Sequence, residues 1–381
     1  MCNGSLMDKL ISFSLPLMLS GILQLLFNAV DIIVVGRFTG RQALAAVGST
    51  TALINMFVNL FIGISLGANV LAARFFAAKK EREMSETVHT AIAFALASGI
   101  GMAFIGVAFA RTALELMGTP DDVIQLSALY MRLYFCGMPF FMLYNYGAAI
   151  LRAIGDTKRP LLFLVIAGAA NVALNLLLVI VFHLGVAGVA IGTIISQMIS
   201  SILVLRCLCK AEASYRLHFS KLSIKGVYMK QIFKVGIPAG IQSTVINFSN
   251  VLLQSSVNSF GSTAMAGYTA ANNIFGFLYA SANSITQACM SFTSQNYGAG
   301  KWKRIDRVVV DCMALTVVIM LALGGGAYVF GHQLLGIYTS DAEVIACGME
   351  ILLYTTVTYF LCGLMAVSYT HLRAHETELH L

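Results

Sequence analysis

The sequence predicts an all-α polytopic membrane protein: two six-helix lobes related by a parallel repeat, the second lobe shortened to four helices. Three observations predict it. Of 381 residues, 58% are hydrophobic and 11% charged, with mean hydropathy +0.82, where a soluble domain carries about 25% charged residues. Ten apolar runs are long enough to cross a bilayer. A constant shift of 221 residues brings the two halves of the chain into register.

The spans fall at 10–35, 44–72, 88–110, 124–150, 160–182, 186–206, 232–258, 264–292, 308–331 and 344–367. Helices are the form expected, because isolated strands leave backbone groups unpaired in lipid. The first run is too long for a signal-peptide core and lacks a small-residue cleavage site, so it counts as a helix.

Basic residues sort into alternate loops. One side receives Lys79, Lys80 and Arg82, then Arg152, Lys158 and Arg159, then the cluster over 206–234, then Lys301, Lys303, Arg304 and Arg307. The other receives Arg37, Arg41 and Arg111. That asymmetry predicts a multi-pass protein of the cell (plasma) membrane with a cytoplasmic N-terminus. It also removes nucleic acid as a partner, since the net charge of +7 forms no single basic face. The eight cysteines show neither a disulfide framework nor a second ligand pair near Cys207 and Cys209, and read as small hydrophobes.

Under the 221-residue shift, Gly40, Ala43 and Ala45 fall on Gly261, Ala264 and Ala266, and Lys80 falls on Lys301. One offset holding across separated blocks indicates duplication. An even number of spans per repeat gives both lobes the same orientation, a transporter layout with a cavity between them. The expected domains are an N-terminal lobe over 1–208, a basic connector over 209–230, a C-terminal lobe over 231–367, and a tail over 368–381 that lacks an apolar period. A partner of span six would end two spans beyond residue 367, hence the shortened second lobe.

The stretch "LLFNAVDIIVVGRF" (25–38) carries the chemistry. Asp31 stands in an apolar run whose centre costs a carboxylate roughly 2.5–3.5 kcal/mol on insertion scales. A position nearer the headgroups, beside Arg37, is the plainer reading. The repeat sets Asp31 opposite Leu252 or Leu253, so the second lobe has no matching acid, which favours a functional role. Gln24, Asn28 and Asp31 share a helical stripe, beside a helix expected to kink or open at Pro16, and should point inward. Asn171 and Asn175 share one face of the fifth span and need hydrogen-bond partners, whether as helix–helix contacts or as a site. Gln242, Asn247, Asn250 and Gln254, followed by Asn272, Asn273 and Gln287, form a polar, uncharged stripe in the second lobe that suits either a substrate cavity or interhelical packing. Asp311 is expected to pair with Arg307, Arg132 to snorkel, and His89 and His183 to lie at the interface.

The stretches "LPLMLSGILQLLFNAVDIIVVGRFTGRQALAAVG" (15–48), "YMRLYFCGMPF" (130–140), "NVALNLLLVIVFHLGVAGVAIGT" (171–193) and "SQNYGAGKWKR" (294–304) resemble the multidrug and toxic compound extrusion (MATE) family of secondary transporters. The resemblance implies an antiporter that exports organic, often cationic, compounds in exchange for H⁺ or Na⁺, with no cofactor beyond the coupling ion and a monomer as the working unit. It implies a cation-coupling set of Asp31, Gln24, Tyr130, Asn171 and Thr193, with Asn175 where many members carry an aspartate. Asp31 would be the sole carboxylate holding Na⁺ if sodium is the coupling ion, with Asn171, Asn175 and Thr193 supplying further oxygens. Asn28, Gln242, Asn250, Gln254 and Gln287 would line the substrate cavity.

Two other readings compete. A lipid-linked oligosaccharide flippase of the same superfamily would need cavity arginines or lysines to neutralise pyrophosphate, and apart from Arg132 the spans hold almost none. An intramembrane enzyme would need a nucleophile–base pair, paired carboxylates or a metal motif, and none is visible.

Overall fold

The computed structural model describes residues 1–39, 41–117, 119, 121–258, 262–338 and 341–379. Within its helices some side chains also lie outside the described residues, among them Asn247, Asn250 and Gln254 and those from 369 onward. Among the described residues every regular element of the chain is a helix. Its elements are α1 (Leu6–Phe38), α2 (Arg41–Ala77), α3 (Glu81–Leu116), α4 (Asp121–Cys136), α5 (Met138–Ala153), α6 (Lys158–Leu176), α7 (Gly185–Cys209), α8 (Gly226–Asn258), α9 (Ser262–Gly298), α10 (Trp302–Val329), α11 (Gly331–Gly336) and α12 (Ala342–Leu379). Six helices are individually long and apolar enough to cross a bilayer, and two bent pairs add up to two more. α8 and α9 have the length, 33 and 37 residues, but carry more amides and hydroxyls.

The duplication is written into the helix ends. α2 and α9 both run 37 residues and start 221 positions apart, and the starts of α10 and α12 follow those of α3 and α4 by the same interval. The turns after α2 and α9 are alike in detail. Lys79 (φ 57°) and Gly300 (φ 68°) both adopt the left-handed conformation. In the first turn the Ala78 and Lys80 N–H groups donate to Arg74 O and Phe75 O at 3.0 Å each; in the second, Ala299 and Lys301 donate to Gln295 O and Asn296 O at 3.0 and 2.9 Å. This is the pattern that satisfies orphan carbonyls at a helix C-terminus. A lysine holds that φ in one turn where the other uses glycine, the residue with no Cβ penalty.

Two expectations about continuity need correction. The span expected over 124–150 is two helices, Val123–Cys136 and Met138–Ala153, bent by 45° at Gly137. Pro139, at the second position of α5, has no N–H to give the carbonyl one turn back, so the α4 ladder ends there. α12 bends by 42° near residue 357, the repeat-equivalent place. By contrast α1 runs unbroken through Pro16, with Ser20 Oγ donating to Pro16 O at 2.8 Å, so the helix is not opened there.

Sequence reasoning divides the chain at the 209–230 connector. Packing groups it as one unit of Met1–Ile22 with Thr244–Leu381 and another of Leu23–Ser243, so each unit takes the first half of the other repeat's leading helix. In the first unit, Phe13 packs edge-on against Phe292 at 5.5 Å between centroids, within a core of Leu10, Ile285, Cys289 and Cys312. In the second, the start of α8 crosses α2 through glycines. A Cβ on Gly63 would meet Gly240 Cα at 2.4 Å, and one on Gly67 would meet Ile232 O at 2.2 Å. The larger core of this unit gathers α2 to α7 around Phe135, Met138, Tyr146 and Ile150.

His89 is buried within its own unit, 3% exposed. Its Nδ1 lies 2.6 Å from Ser85 O and its Nε2 accepts the His218 backbone N–H at 3.1 Å. That wiring fits a neutral ring with the proton on Nδ1. His89→Ala is expected to remove about 1 kcal/mol from connector docking, about a fivefold rise in the undocked population. Limited proteolysis within 209–230 should accelerate accordingly. Asp311 pairs with Arg307 at 3.9 Å, and Arg132 is exposed.

Candidate functional site

The second half of α1 is held against α6 by a ring in a glycine gap. A Cβ on Gly168 would meet Phe27 Cε2 at 1.9 Å, so only glycine admits that ring. One turn further along α1, Asp31 reaches Asn175 on the same α6. Asn175 is wholly buried, Asn171 nearly so, and Asp31 is half-buried. A π-helical turn, Leu177–Val181, follows directly on α6 and changes the side-chain register past the two amides.

Polar contacts link the cluster, with Asn175 donating to both sides. Asn175 Nδ2 donates to Asp31 Oδ1 (2.5 Å) and to Asn171 Oδ1 (3.3 Å). Asn171 Nδ2 points to Thr193 Oγ1 on α7 (3.4 Å), and the Thr193 hydroxyl donates to Val189 O (3.0 Å). The structure therefore brings Asp31, Asn171, Asn175 and Thr193 into one chain. Tyr130, which is buried, and Tyr134 stand close enough to Asp31 to feel its charge, with ring centroids 6.1 Å apart. A recess at the α4–α5 bend, lined by Tyr134, Gly137, Phe141, Thr193 and Gln197, adjoins the far end of this chain.

Asp31 receives one amide donor, and no cation is near it among the described residues. An ionised carboxylate sheltered from water without a counter-charge is costly, so the site favours uptake of a proton or a small cation. The donor set fits either. Asn175 Oδ1 is buried with no hydrogen-bond partner, and with Asp31 and the Asn171 and Thr193 oxygens it could enter the shell of a hard monovalent cation. Protonation needs only Asp31. Gly192 makes room for that amide oxygen, because a Cβ there would lie 2.3 Å from it. Gly192→Ala is expected to displace Asn175 and weaken proton or cation uptake by the cluster, measured on purified protein, by about tenfold or more, the misplacement scale for a positioned group, while the folded yield stays near wild type.

Not every expected residue joins the cluster. Gln24 and Asn28 are exposed, so the stripe on α1 reaches the packed interior only at Asp31. Gln242 and Gln287 are half-buried and belong to different compact units, and the side chains of Asn250 and Gln254 lie outside the described residues. Sequence reasoning missed Tyr134, Gly192 and Gln197, whose Oε1 is buried without a partner. Their signal was spacing: Tyr134 and Gln197 each lie one turn beyond a residue already singled out.

Comparison with known proteins agrees with this geometry. The MatE family model matches residues 16–177 and 238–378. The chain is 31% identical over 376 residues to the probable multidrug resistance protein YoeA of Bacillus subtilis (strain 168), covering 96% of this chain and 81% of that one. It is 28% identical over 362 residues to the probable multidrug resistance protein YpnP of the same organism, covering 95% and 81%. Its fold superposes with a TM-score of 0.91 on an outward-facing multidrug resistance MATE family transporter of the MOP superfamily, at 21% identity and covering 97% and 83%. Matched by the family model over most of its length, the chain belongs to the MatE family, the multidrug and toxic compound extrusion proteins, which are multi-pass membrane transporters and not enzymes.

Proposed function

We propose that this protein exports organic, often cationic, compounds across the cell membrane in exchange for H⁺ or Na⁺, by alternating access, with its N-terminus in the cytoplasm. The observation that carries the reading is the Asp31–Asn175 contact: a carboxylate in an apolar helix, held by one amide, with no counter-charge beside it among the described residues. The multidrug resistance names of the relatives support the export direction and the organic cargo. The basic loops support the orientation.

In this reading the ion and the substrate compete for one state of the Leu23–Ser243 unit. An ion on Asp31 removes the carboxylate's charge and with it the pull on the Asn175 N–H. The change passes through Asn171 to Thr193 on α7, biasing the unit towards substrate release. Loss of the ion restores the charged form, ready for new substrate. Tyr130 and Tyr134 bound the acid on the α4 side and limit its access to water. Gln24 and Asn28, exposed on the same helix, are assigned to the path by which ion or substrate reaches Asp31. The test is accumulation of a cationic dye in vesicles, with pH and sodium gradients imposed separately. Driven efflux should require one of the two gradients; efflux that runs equally well without either would contradict the reading.

A further inference from the structure

The segment between α7 and α8 is more than a tether. It folds onto its own unit through backbone contacts. The Leu217 N–H donates to Leu208 O at 3.1 Å, and the His218 N–H donates to His89 Nε2 at 3.1 Å. Buried Thr90 holds a third place twice, donating to Ser223 O at 3.4 Å and accepting the Lys225 N–H at 3.2 Å. Two rings close the ends: Tyr215 packs edge-on against Phe76 and Tyr228 against Phe75, at 6.4 and 6.0 Å. With Leu217 only 2% exposed, the strap is preorganised.

Its outward side has the opposite character. Phe219, Ile224 and Val227 are 60%, 50% and 69% exposed. Around them Lys210, Arg216, Lys221, Lys225 and Lys230 are all exposed. The acids nearby are few. Glu212 is exposed on the strap itself, and Glu86 on α3 pairs with Arg82 at 3.2 Å and lies near Lys225. Three large apolar side chains and five cations within one short segment, joined to helices that enter the bilayer, match the chemistry of an acidic lipid surface. The apolar groups gain by entering the headgroup–acyl boundary, and the cations gain from anionic headgroups.

We propose that this connector is a lipid-contact surface: Phe219, Ile224 and Val227 insert at the boundary of the adjacent leaflet while Arg216, Lys221, Lys225 and Lys230 hold anionic headgroups. The strap thereby fixes the start of α8 relative to the bilayer plane. The proposal rests on the chain being a membrane protein and is independent of the coupling assigned to Asp31, so either can fail without the other.

The test uses the full chain in phosphatidylcholine bilayers, with Trp302→Phe to remove the sole native tryptophan and Phe219→Trp to report on the strap. The introduced tryptophan should emit to the blue and be quenched by brominated lipid but poorly by aqueous iodide. Brominated phosphatidylglycerol should quench more strongly than brominated phosphatidylcholine, and Lys221→Gln should reduce that preference by up to about fivefold, the contribution of one cation near a charged surface. Quenching by iodide alone, shielding from both quenchers (which would mean a protein cover), or equal quenching by the two lipids overturns the proposal. Should Phe219→Trp not fold, Val227→Trp carries the same test with the same outcomes.

Discussion

An Asp31→Asn protein is expected to reach the membrane at wild-type levels, to bind substrate, and to lose gradient-driven efflux. The substitution keeps the size of the side chain and its ability to accept from Asn175 Nδ2, so the contact between α1 and α6 persists. Phe27 still fills the Gly168 gap, and the packing around both is unchanged. What disappears is the group that can take up a proton or a cation. Removing a charge that lacks a partner also removes its burial cost, so stability should hold or rise. In the proposed mechanism the coupling of ion movement to the state of the unit goes with it. Energy-independent exchange of labelled for unlabelled substrate should survive, whereas accumulation against a gradient should fall by a factor of about 10² or more, the scale on which a positioned catalytic proton carrier contributes. Parallel assays of exchange and driven transport in sealed vesicles separate the two. Full driven transport in the variant would remove Asp31 from the mechanism.

A second large effect is expected where α2 crosses α8. Gly63 and Gly67 are spaced by four on α2, and Gly236 and Gly240 by four on α8, so each pair lies on one face of its helix. Added Cβ atoms would meet backbone: Ile232 O at 2.2 Å for Gly67, Gly240 Cα at 2.4 Å for Gly63, Ile64 Cα at 2.6 Å for Gly236 and Leu60 O at 2.7 Å for Gly240. Backbone cannot rotate away as a side chain can, so the helices must separate. Close approach through small residues is how helices pack where lipid is as apolar as the side chains. Gly67→Ala should therefore cost about 1–3 kcal/mol, the usual range for overpacking. Gly48→Ala, on the same helix with nothing within 4 Å of its added Cβ, is the control. It should be neutral or stabilising, since alanine favours helix by up to about 1 kcal/mol. Thermal melts in detergent should therefore fall for Gly67→Ala and hold or rise for Gly48→Ala; equal shifts would contradict the close crossing.

Much of this architecture is legible in the chain. Apolar run length places the helices because each needs an apolar stretch to span, and ten expected spans coincide with helical segments. The 221-residue offset survives down to the hydrogen bonds of the turns at Lys79 and Gly300. Asp31, Asn171 and Asn175 stand out because ionisable and amide groups in an apolar helix need partners, and few are on offer; Thr193 enters only through the family resemblance. The bend at Gly137 was not read from composition. Hydropathy is blind to one missing N–H, although Pro139 was in plain view. The grouping of half-helices into units depends on where glycines let backbones touch, a property of pairs of helices and not of either alone. Gln24 and Asn28 show the limit of helical-stripe reasoning: i, i+4 spacing sets a shared face, but neighbouring helices decide how far along it burial extends. The docking contact of His89 was illegible for the same reason. Its partner is a backbone N–H far along the chain, which no local pattern announces.

The most direct measurement is ion release on substrate binding in purified protein, followed with a pH dye and a sodium-selective electrode. The wild-type chain should release H⁺ or Na⁺ when a transported cationic dye is added, and Asp31→Asn should bind the dye and release neither. Equal release from the variant would mean that the coupling ion sits elsewhere, and Asp31 would not be the coupling acid.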